Sequence, residues 1–209
     1  MPSQKHLSAR DGKLDARSAL SGAGPAVFLD RDGTLIEEKE YLSEPSEIAL
    51  IPGAAPALAR LREAGFALVL ITNQSAIGRG WLSEAKLAEI HTELERQLAD
   101  EGVQLDAIYF CPDHDAADAP APEDPRADRK PGAGMLLRAA EELNLALGES
   151  WMIGDHVRDL EAGRRAGCRG NLLVLTGHGE TYRNEIQPGD FTCRDLTAAA
   201  QCILKSSRT

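Results

Sequence analysis

Ala26-Val27-Phe28-Leu29-Asp30-Arg31-Asp32-Gly33-Thr34 is the stretch on which the fold is read. Four apolar residues without polar alternation, ending abruptly in a carboxylate, form the pattern of a parallel strand buried on both faces. Asp30 then stands at the carboxyl end of that strand. Two carboxylates at i and i+2 from a strand terminus can face one cation and one phosphoryl group, while Gly33 lets the backbone turn away sharply. An Asp-rich turn with a glycine in the left-handed region would also contain Asp-Gly. The segments C-terminal to Thr34 decide between them.

Similar apolar runs recur at Phe66 to Ile71, Leu105 to Phe110, Trp151 to Ile153 and Leu172 to Leu175. Helical patterns lie between them. Ala54 to Ala64 is rich in Ala, Leu and Arg and stops at Gly65, and Ser83 can cap a helix whose Leu87, Ile90, Leu94 and Leu98 share one face. Met135 to Leu143 and Leu160 to Ala166 supply two more. Strands alternating with helices predict a three-layer, doubly wound α/β domain with a mainly parallel sheet. Such a sheet presents all its strand carboxyl ends on one edge, so Asp30, Thr72 at the end of the second run and Asp155 after the fourth can converge in one crevice.

At 209 residues, the chain has the size of one domain and a little more. Apolar residues at 43% and charged ones at 27% are those of a globular protein, with no disordered or membrane-spanning composition. The net charge of -10 and the scarcity of aromatics (2 Trp, 3 Tyr, 4 Phe) argue against nucleic acid as a partner. They leave room for a small phosphorylated metabolite, because a metal ion and a few placed cations can reverse the local field. Four cysteines (Cys111, Cys168, Cys193, Cys202) without a CxxC pair are expected to be the reduced thiols of a cytoplasmic protein. Residues 1–24 lack sustained periodicity and are expected to be a flexible extension preceding a domain over 25–209. The acidic, Pro- and Ala-rich segment from Pro112 to Asp128 predicts a long loop. The expected assembly is a monomer or weak oligomer.

Beyond the first motif, Thr72-Asn73-Gln74-Ser75 offers hydroxyls and strand-end N–H groups to phosphate oxygens. Lys130 offers the fixed positive charge that phosphoryl transfer needs, and Gly154-Asp155-His156-Val157-Arg158-Asp159 adds a strand-end acid with a second Asp one helical turn on. Taken singly, these are a turn threonine, a surface lysine and a helix cap. Their order along one sheet edge outweighs those separate readings.

In these motifs the chain resembles the haloacid dehalogenase (HAD) superfamily of phosphatases, from about Ala26 to the C-terminus. FLDRDGTL, TNQSAIGRG, the Cys-Pro after the third strand and RKPGAGML together resemble its branch of heptose 1,7-bisphosphate 7-phosphatases and histidinol-phosphate phosphatases. The resemblance implies a magnesium-dependent phosphatase acting through a phosphoaspartate. Asp30 would be the nucleophile, Asp32 the general acid and base, and Thr72 and Lys130 the phosphoryl-binding groups. Magnesium would be held by Asp30, Asp155 and the backbone carbonyl of Asp32. Asn73, Gln74, Ser75, Arg129, Tyr41 and His156 carry over as substrate contacts, with Thr34 and Asp159 as supports behind them.

Two departures from that branch bear on function. Its members commonly hold zinc with C-x-H and C-x-C before the catalytic Arg-Lys. Here Cys111-Pro112-Asp113-His114 and Arg126-Ala127-Asp128 leave at most two of the four ligands a closed site needs, so no zinc is predicted. His156 stands where the heptose phosphatases usually have Lys. The 37 residues between Thr34 and Thr72 and the 57 between Thr72 and Lys130 leave no room for a folded cap, and loops at Glu37 to Ile51 and Pro112 to Asp128 are expected to cover the site. The alternatives are a histidinol-phosphate phosphatase, a polynucleotide 3'-phosphatase disfavoured by the acidic surface, or a catalytically silent binder of a phosphorylated ligand.

Overall fold

A computed structural model describes the backbone of Gln4–His6 together with residues 23–114, Asp124 and residues 127–206. The apolar run ending at Asp30 is strand β2 (Ala26–Leu29), every residue of it buried. The strands β1 (Gln4–His6), β3 (Ala67–Asn73), β4 (Ala107–Cys111), β5 (Trp151–Gly154), β6 (Gly170–Val174) and β7 (Phe191–Cys193) join it in a seven-stranded sheet of order β1-β4-β3-β2-β5-β6-β7. All pairings are parallel except the β1–β4 edge. The chain steps outward from β2 through β3 to β4 and then returns to place β5 on the other side of β2. That reversal opens a crevice at the carboxyl ends of β2 and β5, where ligands of open α/β sheets bind.

Helices cover both faces, completing the expected three layers. Strand side chains alternate between them with period two. Val27, Leu29, Leu68, Leu70 and Ile153 pack toward α1 (Ala54–Glu63), α3 (Glu84–Asp100) and α7 (Leu196–Ser206). Ala26, Phe28, Val69, Ile71 and Met152 pack toward α4 (Gly134–Leu143) and α5 (Val157–Ala166). Leu87, Ile90, Leu94 and Leu98 form the buried stripe of α3, and the Ser83 hydroxyl accepts from the Lys86 N–H at 3.1 Å.

The short helices α2 (Ser75–Gly78) and α6 (Gly179–Tyr182), strand β7 and helix α7 go beyond the elements expected from the sequence. Helix α7 is Ala-rich and packs on α1, so its burial depends on a partner distant in the chain. Of the extension expected over 1–24, Gln4–His6 adds the antiparallel edge strand, Gly24 bridges to Leu145, and residues 1–3 and 7–22 lie outside the described residues. Between β2 and α1 the chain makes only a tight excursion with a 3-10 turn at Pro45–Glu47, and no separate cap domain is formed among the described residues. Most of the loop expected at 112–128 lies outside the described residues.

Ser150 ties the entry of the central strand to the end of the preceding connection. Its buried hydroxyl accepts from the Ala26 N–H at 2.9 Å and donates to the Ala146 carbonyl at 2.7 Å. Removing it leaves a buried N–H unsatisfied. Ser150→Ala is expected to lower the stability of the protein by about 1–3 kcal/mol in urea unfolding. An unchanged midpoint would show that water replaces the hydroxyl.

Candidate functional site

Strand ends and the loops that continue from them line a cleft of about 210 Å³ at the carboxyl edge of the sheet. It gathers Asp30, Asp32, Tyr41, Thr72, Asn73, Gln74, Ser75, Lys130 and Asp155 from the residues expected in the site. The remaining expected residues lie outside the lining. Thr34 and Asp159 are fully buried behind it. Arg129 donates from Nη1 to the Asp113 carbonyl at 2.9 Å.

His156 is not a cleft-lining group either. Its Nδ1 accepts from the Arg158 N–H at 3.2 Å as the N-cap of α5, and its ring lies 3.8 Å from that of Tyr182. Burial, reinforced by the nearby Arg158 and Lys130 charges, pushes its imidazole down to about 3. The ring is therefore neutral at physiological pH.

At the centre of the site is Lys130. Its ammonium is 2.7 Å from Asp30 Oδ1, 2.7 Å from Asp159 Oδ1, and donates to the Ile71 carbonyl at 2.8 Å. The Asn73 side chain clasps the backbone of the same residue: Oδ1 accepts from the Lys130 N–H at 3.0 Å and Nδ2 donates to its carbonyl at 3.1 Å. The second oxygen of Asp159 accepts from the His156 N–H at 3.0 Å, so both its oxygens are engaged. Burial works against the Lys130 charge, yet Asp159 and Asp30 hold its pKa above the usual lysine value.

Asp30, Asp155 and Asp159 bring carboxylate oxygens within 4.8 Å of one another. Burial raises the Asp155 carboxyl to about 8, with the charges of Asp30 and Asp159 adding to it. Asp30 is raised as well, by burial first, against the pull of Lys130. Asp155 Oδ2 accepts from the His178 N–H at 2.8 Å. Two glycines make this crowding possible. A Cβ on Gly33 (φ +72) would stand 2.2 Å from Asp155 Oδ2, and one on Gly177 (φ +57) would stand 2.3 Å from the same atom.

A second network holds Asp32. Arg31, only 2% exposed, donates from Nε and Nη2 to the Asp32 carboxylate at 3.0 to 3.2 Å and from Nη2 to Gln74 Oε1 at 3.1 Å. Gln74 Nε2 in turn reaches Thr72 Oγ1 at 2.9 Å and Asp32 Oδ2 at 3.2 Å. Behind Arg31, its Nη1 lies 3.4 Å from Nε2 of the fully buried His91 on α3. The Arg31 side chain thus fixes the direction of a carboxylate only one residue away.

Three cleft-lining groups have no role that the sequence motifs assign, Arg31, Arg158 and His178, while Glu38, Lys39 and Glu40 line it from the stretch leading to Tyr41 where the resemblance places substrate contacts. Arg31 and Arg158 stand inside motifs whose acids carry the more obvious chemistry, and His178 lies just beyond a strand end on the same sheet edge, which was the available signal. Among the described residues, the acidic trio is the grouping of metal-ligating side chains, and it contains no cysteine. Cys111 is buried at the end of β4 with its thiol pushed up to about 11 by that burial, and Asp128 is engaged by Arg138 at 3.2 Å. Arg126, which stands in the segment where the branch has C-x-C, lies outside the described residues.

Comparison with known proteins places this geometry. The HAD-hydrolase-like family model matches residues 127–199. The chain is 42% identical over 161 residues to the D-glycero-beta-D-manno-heptose-1,7-bisphosphate 7-phosphatase of Yersinia pestis, covering 77% of this chain and 86% of the relative. It is 40% identical over 188 residues to the corresponding phosphatase of Thermosynechococcus vestitus, covering 86% and 95%. Among solved structures, it is similar to the D,D-heptose 1,7-bisphosphate phosphatase of B. bronchiseptica complexed with magnesium and phosphate, at 34% identity and a TM-score of 0.77 over 87% of this chain and 99% of that one. The chain belongs to the D-glycero-D-manno-heptose-1,7-bisphosphate 7-phosphatase family of HAD-superfamily phosphatases.

Proposed function

We propose that this phosphatase removes the 7-phosphate of D-glycero-D-manno-heptose 1,7-bisphosphate through a phosphoaspartate on Asp30. The observation that carries the reading is the buried Asp30–Lys130–Asp159 arrangement beside Asp155, in a chain whose relatives are named as phosphatases of that substrate. Asp30 attacks phosphorus, the phosphorus–oxygen bond to the sugar breaks, and Asp32 delivers a proton to the departing oxygen. Water then attacks the phosphoaspartate while Asp32 takes its proton. The bond between phosphorus and Asp30 breaks, releasing phosphate and restoring the carboxylate. Thr72 and Lys130 bind the equatorial oxygens as charge spreads in the transition state. Asn73 positions Lys130, and Gln74 ties Thr72 to Asp32.

The donor set fits magnesium. Asp30 and Asp155 are hard oxygen ligands crowded together under mutual repulsion, and the glycines at 33 and 177 keep the space around them clear. With Asp159 engaged by Lys130 and His156, Asp30, Asp155 and the Asp32 carbonyl are the groups assigned to the ion. When bound, magnesium supplies charge that offsets repulsion between the nucleophile and a phosphoryl dianion. Among the described residues no helix is long and apolar enough to cross a membrane. The working assignment is a cytoplasmic enzyme acting on a small metabolite without nucleic acid, as a monomer or weak oligomer.

Two measurements test this reading. Magnesium-dependent phosphate release should be abolished by Asp30→Asn, and catalytic efficiency on heptose 1,7-bisphosphate should exceed that on histidinol phosphate by at least about tenfold, or 1.4 kcal/mol in transition-state binding. The reverse ranking, with both anomers of the bisphosphate tried, would sink the sugar assignment.

The pH dependence of metal binding is set by the acids. The folded, metal-free protein keeps a proton on Asp155 up to about pH 8, whereas the unfolded chain releases it near the ordinary value of 3.8. Stability from this group therefore falls as pH rises across that window, and magnesium takes the proton's place. The increase in Tm produced by saturating magnesium should be larger at about pH 8 than at about pH 5.5. Equal gains would show that the acids do not hold the ion.

A further inference from the structure

Four lysine and arginine side chains line the cleft: Arg31, Lys39, Lys130 and Arg158. Three have partners within the protein, Arg31 and Lys130 in the interior and Lys39 at the exposed rim. Arg31 is held by Asp32 and Gln74, Lys130 by Asp30, Asp159 and the Ile71 carbonyl, and Lys39 donates to the Glu47 carbonyl at 2.7 Å. The Arg158 guanidinium makes no hydrogen bond or ion pair with any described residue. It is half-buried, and its charge acts on Asp30 and Glu38.

Its backbone is held firmly. The Arg158 N–H is capped by His156, and the next residue, Asp159, is locked in the interior by Lys130. Successive helical residues diverge by about 100°, so a fixed Asp159 directs Arg158 away from the core.

The cleft is also lined by five carboxylates: Asp30, Asp32, Glu38, Glu40 and Asp155. A phosphate carries about -1.5 to -2 at neutral pH, so a bisphosphate brings roughly twice the charge of a monoester into that field. Lys130 and the magnesium site serve the phosphate being transferred. A second phosphate needs another counter-charge, and a guanidinium with unused donors matches phosphate oxygens bidentately. Tyr41 continues the lining, paired edge to face with exposed Trp81 at 4.7 Å between centroids, and adds an apolar ring surface to a cleft otherwise lined by charged and polar groups.

We propose that Arg158 is a specificity-determining residue that binds the non-transferred phosphate of the sugar bisphosphate, an inference that rests on the bisphosphate reading of the substrate. The alternative is that Arg158 only balances the neighbouring acids. In that case its loss would affect monophosphates and bisphosphates alike.

The test is steady-state kinetics of wild type, Arg158→Ala and Arg158→Lys with magnesium on three compounds: heptose 1,7-bisphosphate, heptose 7-phosphate and p-nitrophenyl phosphate. Wild type is expected to prefer the bisphosphate. Arg158→Ala should lose about 10- to 100-fold in kcat/KM on it, mainly through KM, so that the preference over the 7-phosphate collapses, with Arg158→Lys restoring part of it. This preference is a ratio within each variant, so partial misfolding leaves it unmoved, and Arg158→Lys supplies it should Arg158→Ala not fold. Equal losses on all three compounds, or a preference retained without Arg158, overturn the assignment while leaving the substrate reading intact. Wild type that fails to hydrolyse the bisphosphate overturns the substrate reading and this proposal together.

Discussion

The Lys130 ammonium, enclosed by Asp30, Asp159 and the Ile71 carbonyl, is the interaction on which the site depends. A doubly wound sheet delivers strand-end groups to one edge, and here that edge receives carboxylates from β2 and β5 at close quarters. Withdrawing a single carboxylate from water costs several kcal/mol unless it is paired. The Lys130 ammonium donates to Asp30 and to the Ile71 carbonyl and is ion-paired with Asp159 at 2.7 Å, which leaves little freedom in its position. The Asn73 clasp on its backbone extends that rigidity to the loop carrying it. One cation therefore fixes β2, β3, α5 and the segment before α4 in a single arrangement.

Around this centre the side chains divide into two networks with different tasks. On one side, Asp30 and Asp155 have raised affinities for protons, and that is the condition under which a divalent cation becomes a favoured replacement. On the other, Arg31, Gln74 and Thr72 hold Asp32 at the cleft surface, backed by His91 from α3. In the role proposed for it Asp32 must be oriented before it can transfer a proton, and the two-point contact with Arg31 supplies that orientation. Among the described residues no cap domain closes over the cleft, so it is lined by loops, strand ends and the first turn of α5, with Tyr41 and Arg158 among the lining residues.

Much of this was legible before any coordinates. The alternation of apolar runs and helical stripes specified the parallel sheet, and the abrupt passage from Leu29 to Asp30 specified which edge would be active. Elements whose burial depends on distant partners carry no such local mark: α7 is Ala-rich and gains its place from α1, and β7 is a short, half-exposed edge strand. Substrate contacts transferred from the family pattern fared unevenly in position. Gln74 and Ser75 line the cleft, but Gln74 also ties Thr72 to Asp32, His156 caps a helix and Arg129 bonds a loop carbonyl.

By itself, the sequence singled out Asp30, Asp32, Thr72, Lys130 and Asp155 as candidates and specified a mainly parallel sheet whose strand ends share one edge. Local apolar periodicity and strand-end placement suffice for that. Only the tertiary structure decided which cations are already committed and which is available. Arg31 and Arg158 are the same residue type in two strand-end motifs, yet one is buried against Asp32 and the other faces the cleft without a partner among the described residues. That distinction is set by burial and by contacts between residues far apart in the chain, and no local pattern carries it.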